Sequence, residues 1–201
     1  MKIIIVGHHS RIDWVAELQR VFPDSAATVD YSEQGAAAGH LRALQLAAQL
    51  SERTIIMEDD ALPVAAFEAL AERWFKRMPD ELISFYLGTG RPPQWQERVD
   101  RALRNTHDDF ISLPKLIHGV CYSIPPHRIG GVLDRLTVNS DEGIDFAIGR
   151  AWGNRPIIYP VESLVEHRDG APVERHPDGQ RRVEARVARN LAGPLIATGD
   201  L

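Results

Sequence analysis

Cysteine is almost absent from the sequence, and this scarcity limits both the covalent chemistry and the compartment of the protein. The 201 residues include a single cysteine, Cys121, so no disulfide can form within the chain. Such cysteine usage fits a reducing compartment, where structural disulfides are rare. Because Cys121 lies in an apolar, strand-like run, we expect it to be a small buried hydrophobic residue.

Long apolar runs are also missing. The uninterrupted run at residues 3–6 is far shorter than the roughly 20 residues that a membrane-spanning helix needs. The chain opens directly into a strand-like run with one lysine and no small-residue cleavage site, so we expect neither a signal peptide nor a transit peptide. These features predict a soluble, cytoplasmic protein without a membrane span.

An excess of positive charge is absent from the chain as a whole but present near its end. The formal net charge is −5, which argues against a protein whose entire surface binds nucleic acid. The basic side chains between residues 175 and 189 are Arg175, His176, Arg181, Arg182, Arg186 and Arg189. This segment fits either a solvated helix or a contact with a polyanion.

Short apolar runs alternate with helical patterns along the first half of the chain. We predict strands at residues 2–6, 27–31, 54–57, 82–87, 119–124 and 157–159 from these runs. Helical spacing predicts helices at residues 14–21, 35–50, 63–75, 125–136 and 141–152, with a loop at residues 160–169. Strands that alternate with helices are typical of a three-layer α/β fold with one core.

Polar side chains follow the first and third predicted strands. The run His-His-Ser-Arg occupies residues 8–11 after the first strand, and Glu-Asp-Asp at residues 58–60 ends the third. Ligands bind beyond the carboxyl ends of the strands in open α/β sheets, so we expect these groups to face one another. Three consecutive acids repel one another unless a cation is present, and Mg²⁺ and Mn²⁺ prefer carboxylate and phosphate oxygens. A solvated acidic turn is the alternative.

Three residues after the first strand are candidates for contacts with a nucleotide. The guanidinium of Arg11 matches the geometry of a diphosphate. His8 and Ser10 occupy the positions where a base or ribose would lie. A surface arginine and a polar turn are the alternatives for these residues. His40, on an alanine-rich helix, is instead expected to be a buried structural residue.

A resemblance to a known family adds to this interpretation. The Gly-rich segment GAAAGHLRAL at residues 35–44 precedes an apolar strand that ends in the acids at 58–60. This order resembles glycosyltransferase family 25, the lipopolysaccharide galactosyltransferases. The segments SFYLGTGRP at 84–92 and SLVEH at 163–167 are more similar still to short glycosyltransferases of bacteriophages.

The resemblance covers most of residues 1–170 and implies the fold and domain organisation. Residues 1–170 would form one GT-A-like catalytic domain, a three-layer α/β/α sandwich with a mostly parallel, Rossmann-like sheet. Residues 171–201 would form a basic tail, helical or irregular, that packs on this domain or extends from it.

The resemblance also implies roles for individual residues. The spacing of Glu58 and Asp60 is similar to the Asp-x-Asp motif of GT-A enzymes, which makes Asp60 the metal ligand and Glu58 the contact to the donor ribose. Asp59 can serve either role. The chain departs from the motif by having a glutamate in the first position. A late histidine often completes the metal shell of such enzymes, and His167 matches that position; imidazole is a good ligand for Mn²⁺.

An inverting sugar transfer needs a carboxylate that accepts the proton of the attacking hydroxyl. Asp141 and Asp145 are four residues apart and share one face of a predicted helix. Asp145 is similar to an acid of the phage sequences and is our candidate base, with Asp141 as the reserve. Capping of the helix is the alternative role for Asp141.

Together these features predict a hexosyltransferase-like, metal-dependent glycosyltransferase of a bacterial or phage-infected cell. The donor would be a UDP-sugar, the cofactor Mn²⁺ or Mg²⁺, and the acceptor a hydroxyl of a glycan or protein. The phage-like segments leave a second acceptor open, a hydroxymethylated DNA base such as 5-hydroxymethylcytosine. A metal-dependent phosphohydrolase and a non-catalytic nucleotide-sugar-binding domain are the alternatives of other classes.

Overall fold

A seven-stranded sheet forms the centre of the protein, and helices cover both of its faces. The computed structural model describes residues 1–139, 142–171, 173 and 185–196. The strands are β1 (Lys2–His8), β2 (Ala26–Asp30), β3 (Thr54–Glu58), β4 (Ala61–Pro63), β5 (Leu82–Ser84), β6 (Phe110–Leu113), β7 (Cys121–Ile124), β8 (Ile157–Pro160) and β9 (Val165–His167). The helices are α1 (Ile12–Val21), α2 (Gly35–Ala47), α3 (Phe67–Arg77), α4 (Pro93–Asn105), α5 (Pro126–Arg135) and α6 (Ile144–Trp152). The predicted three-layer α/β/α architecture is confirmed.

The order of the strands brings the ends of β1 and β3 together. The sheet has the order β2-β1-β3-β7-β5-β8-β6, and only β7 and β6 oppose the common direction. It is therefore mostly parallel, as predicted. In the β1–β3 register, Val6 lies opposite Glu58, so both strands end at the same edge of the sheet. The strands β4 and β9 form a separate antiparallel pair.

The alternation of side chains along β3 divides the core into two layers. Ile56 belongs to the cluster that packs beneath α2, α5 and α6, whereas Ile55 and Met57 belong to the cluster beneath α1 and α3. All three side chains are buried. The polar residues that follow β3 therefore emerge between two well-packed layers. Among the described residues, no helix is long and apolar enough to cross a membrane.

The start of one predicted helix and one predicted loop are wrong, because a short strand pair forms where no strand was expected. The helix predicted at 63–75 begins at Phe67, and Pro63 instead ends β4. The loop predicted at 160–169 contains β9, which pairs with β4. Strands of three residues are too short to show a period of two, so their pairing is not readable from sequence.

Two predicted boundaries also shift. The strand predicted at 82–87 ends at Ser84. The Phe85 N–H still donates to Cys121, but the carbonyls of Phe85 and Leu87 accept from Leu164 and Arg189, which lie outside the sheet. The helix predicted at 141–152 begins at Ile144, with Gly143 as its N-cap in an extended conformation.

The described part of the predicted basic tail, residues 185–196, packs along one end of the sheet, and we call it the C-terminal strap. It forms no helix, but isolated bridges connect it to the body at three points: Gly88 with Ala188, Ser163 with Leu191, and Val64 with Leu195. Backbone hydrogen bonds of 2.9–3.0 Å fix its course. Positions 174–184 lie outside the described residues, so the helix considered for this region stays a prediction.

The close packing of α6 gives a test of the fold. A Cβ at Gly149 would lie 2.6 Å from the backbone nitrogen of Leu116, whereas a Cβ at Gly130 in α5 would meet nothing within 4 Å. We expect Gly149→Ala to lower the free energy of unfolding by about 1–3 kcal/mol through overpacking. The control Gly130→Ala should raise it by about 0.5–1 kcal/mol, since alanine favours helices. Urea unfolding measures both, and equal effects would contradict the packing described.

Candidate functional site

Asp59 and Asp60 lie directly after β3 and share one arginine. The Nη1 group of Arg11 donates to Asp59 Oδ1 at 3.1 Å and to Asp60 Oδ2 at 2.8 Å. The backbone N–H of His8 donates to the other oxygen of Asp59 at 2.8 Å. Both carboxylates are buried. The residues after β1 and those after β3 therefore meet at one edge of the sheet.

The strand β9 brings His167 to the same carboxylate. Its pairing with β4 places His167 opposite Ala61, directly after the acidic residues. Nε2 of the buried ring lies 3.3 Å from Asp60 Oδ2, and Nδ1 lies 3.4 Å from Asp169 Oδ1. The backbone N–H of Arg168 donates to the Asp60 carbonyl at 2.7 Å, which holds the two segments together.

Three further side chains surround the pair of Asp60 and His167: Arg186 from the strap, Tyr86 and His118. A guanidinium N–H of Arg186 donates to Nε2 of His167. The Tyr86 ring centroid lies 5.0 Å from that of His118 and 6.3 Å from that of His167. The His118 Nε2 atom accepts a hydrogen bond from the Gly88 N–H at 3.2 Å. Burial and then the nearby cations lower the pKa of His118 to about 3, so its ring is neutral.

Polar atoms that are buried without a hydrogen-bond partner gather at this position. Among the described residues, four of them belong to the site: Asp60 Oδ1, Tyr86 Oη, His167 Nδ1 and Arg186 Nε. Buried polar atoms in folded proteins are nearly always paired, and leaving one unpaired costs about 1–3 kcal/mol. One of these atoms belongs to Asp60 itself, and His167 Nδ1 has the Asp169 carboxylate at 3.4 Å. The unpaired Asp60 Oδ1, Tyr86 Oη and Arg186 Nε indicate a site that is built to receive a polar ligand.

The buried acids of the site differ in their ionisation. Burial raises the pKa of Asp60, but the contacts with His167, Arg186 and Arg11 outweigh it and lower the pKa to about 2. Burial raises the pKa of Asp59 to about 6, although its bonds from His8 and Arg11 act in the opposite direction. The pKa of Arg11 is raised because the two carboxylates outweigh its burial. Asp60 is therefore ionised at neutral pH, and of the two carboxylates it is the one that loses its negative charge only at a much lower pH.

Glu58 takes a different direction from its two neighbours. Its Oε1 atom lies 3.1 Å from Nε2 of His40, whose Nδ1 lies 3.0 Å from the hydroxyl of Tyr122. His40 and Tyr122 are fully buried, while the Glu58 side chain is 25% exposed. His40 is thus buried and hydrogen-bonded as expected, and it also holds a carboxylate of the site.

Asp145, in the first turn of α6, lies beside Glu58. Its Cβ is 3.7 Å from the point that a Cβ at Gly119 would occupy, and Glu58 Oε1 is 3.0 Å from the same point. The missing side chain at Gly119 leaves the space between the two acids open. Burial, and then the charge of Glu58, raise the pKa of Asp145 to about 6. Asp145 is therefore ionised at neutral pH and still basic enough to accept a proton.

The remaining predicted residues lie at the rim or outside the described residues. The His8 Nδ1 atom lies 2.7 Å from the Ser10 hydroxyl, and the His8 and His9 rings are 4.2 Å apart. Ser10 is exposed and His8 partly so, which makes both accessible to a ligand at this edge. Asp141 lies outside the described residues.

Asp60 offers a divalent cation its unpartnered Oδ1, and His167 adds Nε2 only once Arg186, which donates to that atom here, has moved away. In the described part of the chain, no three His, Cys, Asp or Glu side chains are arranged as a metal site. Mg²⁺, however, is commonly bound by one or two carboxylates and completes its shell with water and phosphate oxygens. The unpartnered Oδ1 of Asp60 fits an ion that is shared in this way. The residues present therefore fit a metal that binds together with a diphosphate.

The sequence did not identify three side chains of the site, Tyr86, His118 and Arg186. Tyr86 lies in an apolar run that resembles ordinary core, and nothing in its neighbours marks the unpaired hydroxyl. Arg186 belongs to the basic segment at residues 175–189, in which the sequence does not distinguish one arginine from another. The signal for Arg186 was local charge, but its contact with β9 depends on the path of the strap.

Comparison with known proteins supports the architecture. No family model matches the chain, and no curated protein matches it. The crystal structure of A197 from STIV is similar over 98% of each chain, with a TM-score of 0.51 and 11% sequence identity. The likeness shows a shared fold. The resemblance to glycosyltransferase family 25 stays a prediction.

The central position of Asp60 leads to a stability prediction. Asp60→Asn removes the charge that pairs with Arg11, and losing one partner of a buried pair costs about 3 kcal/mol. The control Asp109→Asn breaks an exposed pair with Arg77 and should cost about 1 kcal/mol or less. Urea unfolding at neutral pH measures both losses. An Asp60 variant as stable as the Asp109 variant would show that the ion-pair cluster is not formed.

Proposed function

We propose that the protein is a metal-dependent glycosyltransferase that moves a sugar from a nucleotide-sugar donor, a UDP-sugar, to a hydroxyl of a glycan or protein. The observation that carries the proposal is the group of unpaired buried polar atoms around Asp60, next to the guanidinium of Arg11. A donor diphosphate with a bound divalent cation supplies both the positive and the negative partners that this group needs. The position at the carboxyl ends of parallel strands is where α/β folds bind nucleotides.

Asp60 and His167 would hold Mg²⁺ or Mn²⁺, and Arg11 would bind the diphosphate. The bound ion supplies charge stabilisation for the leaving nucleoside diphosphate. Arg11 is oriented by Asp59, whose two oxygens are already occupied by Arg11 and by the His8 N–H. Asp59 therefore acts by positioning Arg11. His8 and Ser10 lie at the exposed rim, where the base or ribose of the donor would bind.

Asp145 is the proposed general base. It lies with Glu58 on the other side of the end of β3, so the two acids can approach a hydroxyl while Asp60 faces the diphosphate. His40 fixes one oxygen of Glu58, which leaves Glu58 to contact hydroxyls of the donor ribose or sugar. A base on one side and a charge-stabilising group on the other is the arrangement that displacement of a nucleotide requires.

Nucleotide binding tests the proposal directly. We expect UDP with Mn²⁺, at about 100 times its dissociation constant, to raise the melting temperature by roughly 5–10 °C. GDP and CDP should have smaller effects, and UDP without the metal should have little. The wild-type chain incubated with a UDP-sugar should then release UDP.

Other outcomes identify the competing classes. Release of inorganic phosphate or of a nucleoside monophosphate would indicate a phosphohydrolase. Binding without any turnover, across a panel of sugar donors and acceptors, would indicate a binding domain. Absence of a shift with all three nucleotides would contradict the proposal.

The assignment of Asp145 gives a prediction for rate and pH. Asp145→Asn should lower kcat about 100-fold or more while leaving UDP binding intact, because the amide cannot accept the proton. Asp134→Asn, which changes an exposed acid of α5, is the control. Because the base works only when ionised, kcat/KM of the wild type should be half-maximal near pH 6, level off above about pH 7 and fall tenfold per unit below about pH 5. An unchanged kcat in Asp145→Asn would exclude Asp145 as the base.

A further inference from the structure

The C-terminal strap is held in place by hydrogen bonds at the three residues that follow Arg186. The Thr89 N–H donates to the Val187 carbonyl at 2.9 Å, and the Ala188 N–H donates to Glu166 Oε1 at 2.7 Å. The Arg189 N–H donates to the Leu87 carbonyl at 3.0 Å. These bonds connect the strap to the segments that carry Tyr86 and His167. The backbone at Arg186 is therefore fixed next to the site.

The side chain of Arg189 adds a second anchor, on the outer side of the strap. Its guanidinium donates to the Asp100 carboxylate and to Gln96 Oε1 at 2.6 Å, both on α4. Arg189 is thus engaged with the body, whereas Arg186 points to the pair of Asp60 and His167. Arg189 therefore anchors the strap to α4, whereas Arg186 contacts the site.

Arg186 enters a position that already contains the unpaired polar atoms. Its Nη2 group contacts His167 Nε2, and its Nε is buried without a hydrogen-bond partner among the described residues. Its charge acts on Asp60, Tyr86 and His118. Arg186 and Arg11 therefore both act on Asp60, Arg11 through a direct bond to Oδ2 and Arg186 through its charge.

Two guanidinium groups next to a carboxylate with an unpaired oxygen match one ligand class best. A diphosphate offers several anionic oxygens, and a guanidinium binds two of them in a fork. The same oxygens can bring a divalent cation to Asp60. A neutral sugar would leave the guanidinium groups unpaired, and a simple carboxylate would satisfy only one of them.

We propose that Arg186 is a ligand-binding residue of this site and contacts the diphosphate of the donor together with Arg11, so that the C-terminal strap forms a wall of the site. The identity of the donor as a nucleotide-sugar rests on the proposed function; the diphosphate contact itself does not. In the absence of ligand, Arg186 helps to neutralise Asp60. When the ligand is bound, the same guanidinium pairs with phosphate oxygens.

Binding of inorganic pyrophosphate in the presence of Mg²⁺ tests this proposal without reference to base or sugar. Calorimetry on the full chain compares the wild type with Arg186→Gln, Arg186→Lys and the control Arg101→Gln, which removes an exposed charge of α4. We expect Arg186→Gln to weaken binding at least tenfold, as the loss of a charged hydrogen bond predicts. Arg186→Lys should be intermediate, since it keeps the charge and loses the fork, and Arg101→Gln should bind as the wild type does.

The outcomes separate this proposal from the proposed function. If Arg186→Lys and Arg186→Gln both bind pyrophosphate as tightly as the wild type does, Arg186 only neutralises Asp60 and the proposal is wrong. It is equally wrong if the wild type binds no pyrophosphate. If pyrophosphate binding depends on Arg186 but no nucleotide-sugar is bound or turned over, the diphosphate site stands and the glycosyltransferase assignment fails. Melting temperatures without ligand show whether each variant has folded. If Arg186→Gln has not, the comparison of Arg186→Lys with the wild type tests the proposal.

Discussion

Two adjacent buried carboxylates, Asp59 and Asp60, set the main constraint on this structure. Neither can stay ionised away from water unless cations or N–H groups lie close by. The fold supplies them from separate parts of the chain: Arg11 after β1, His167 in β9 and Arg186 in the C-terminal strap. The resulting site is nevertheless incomplete, because Oδ1 of Asp60 has no partner among the described residues. This unmet demand is the physical reason for assigning a polar ligand to the site.

The end of β3 separates two kinds of chemistry. Glu58 is the last residue of the strand and contacts His40 of α2, whereas Asp59 and Asp60 lie in the turn beyond it and contact Arg11. In the proposed function, charge stabilisation at Asp60 and proton transfer at Asp145 would occupy neighbouring but distinct positions. Gly119 keeps the space beside Glu58 and Asp145 open, since any Cβ there would lie 3.0 Å from Glu58 Oε1. Under the proposed function, the donor would bind on the Asp60 side of this edge and the acceptor on the Asp145 side.

Much of the fold, but only part of the site, could be predicted from sequence. The alternation of apolar runs with helical patterns predicted the three layers, and the carboxyl ends of β1 and β3 meet because parallel strands share an edge. The sequence did not predict that the Glu58 side chain points away from that of Asp60. Side chains two residues apart lie on the same face of a strand, but β3 ends at Glu58, so this rule does not extend to Asp60. Tyr86 and Arg186 were not predicted either. Their contacts depend on β4, β9 and the strap, whose pairings join distant parts of the chain and leave no local pattern.

A crystal structure grown with UDP and Mn²⁺ tests the central claim most directly, since the anomalous signal of manganese locates the metal independently of the nucleotide. We expect one manganese peak bound by Asp60 and His167, with the diphosphate against Arg11. A nucleotide bound elsewhere on the chain, or a site that stays without manganese while UDP is bound, would contradict it.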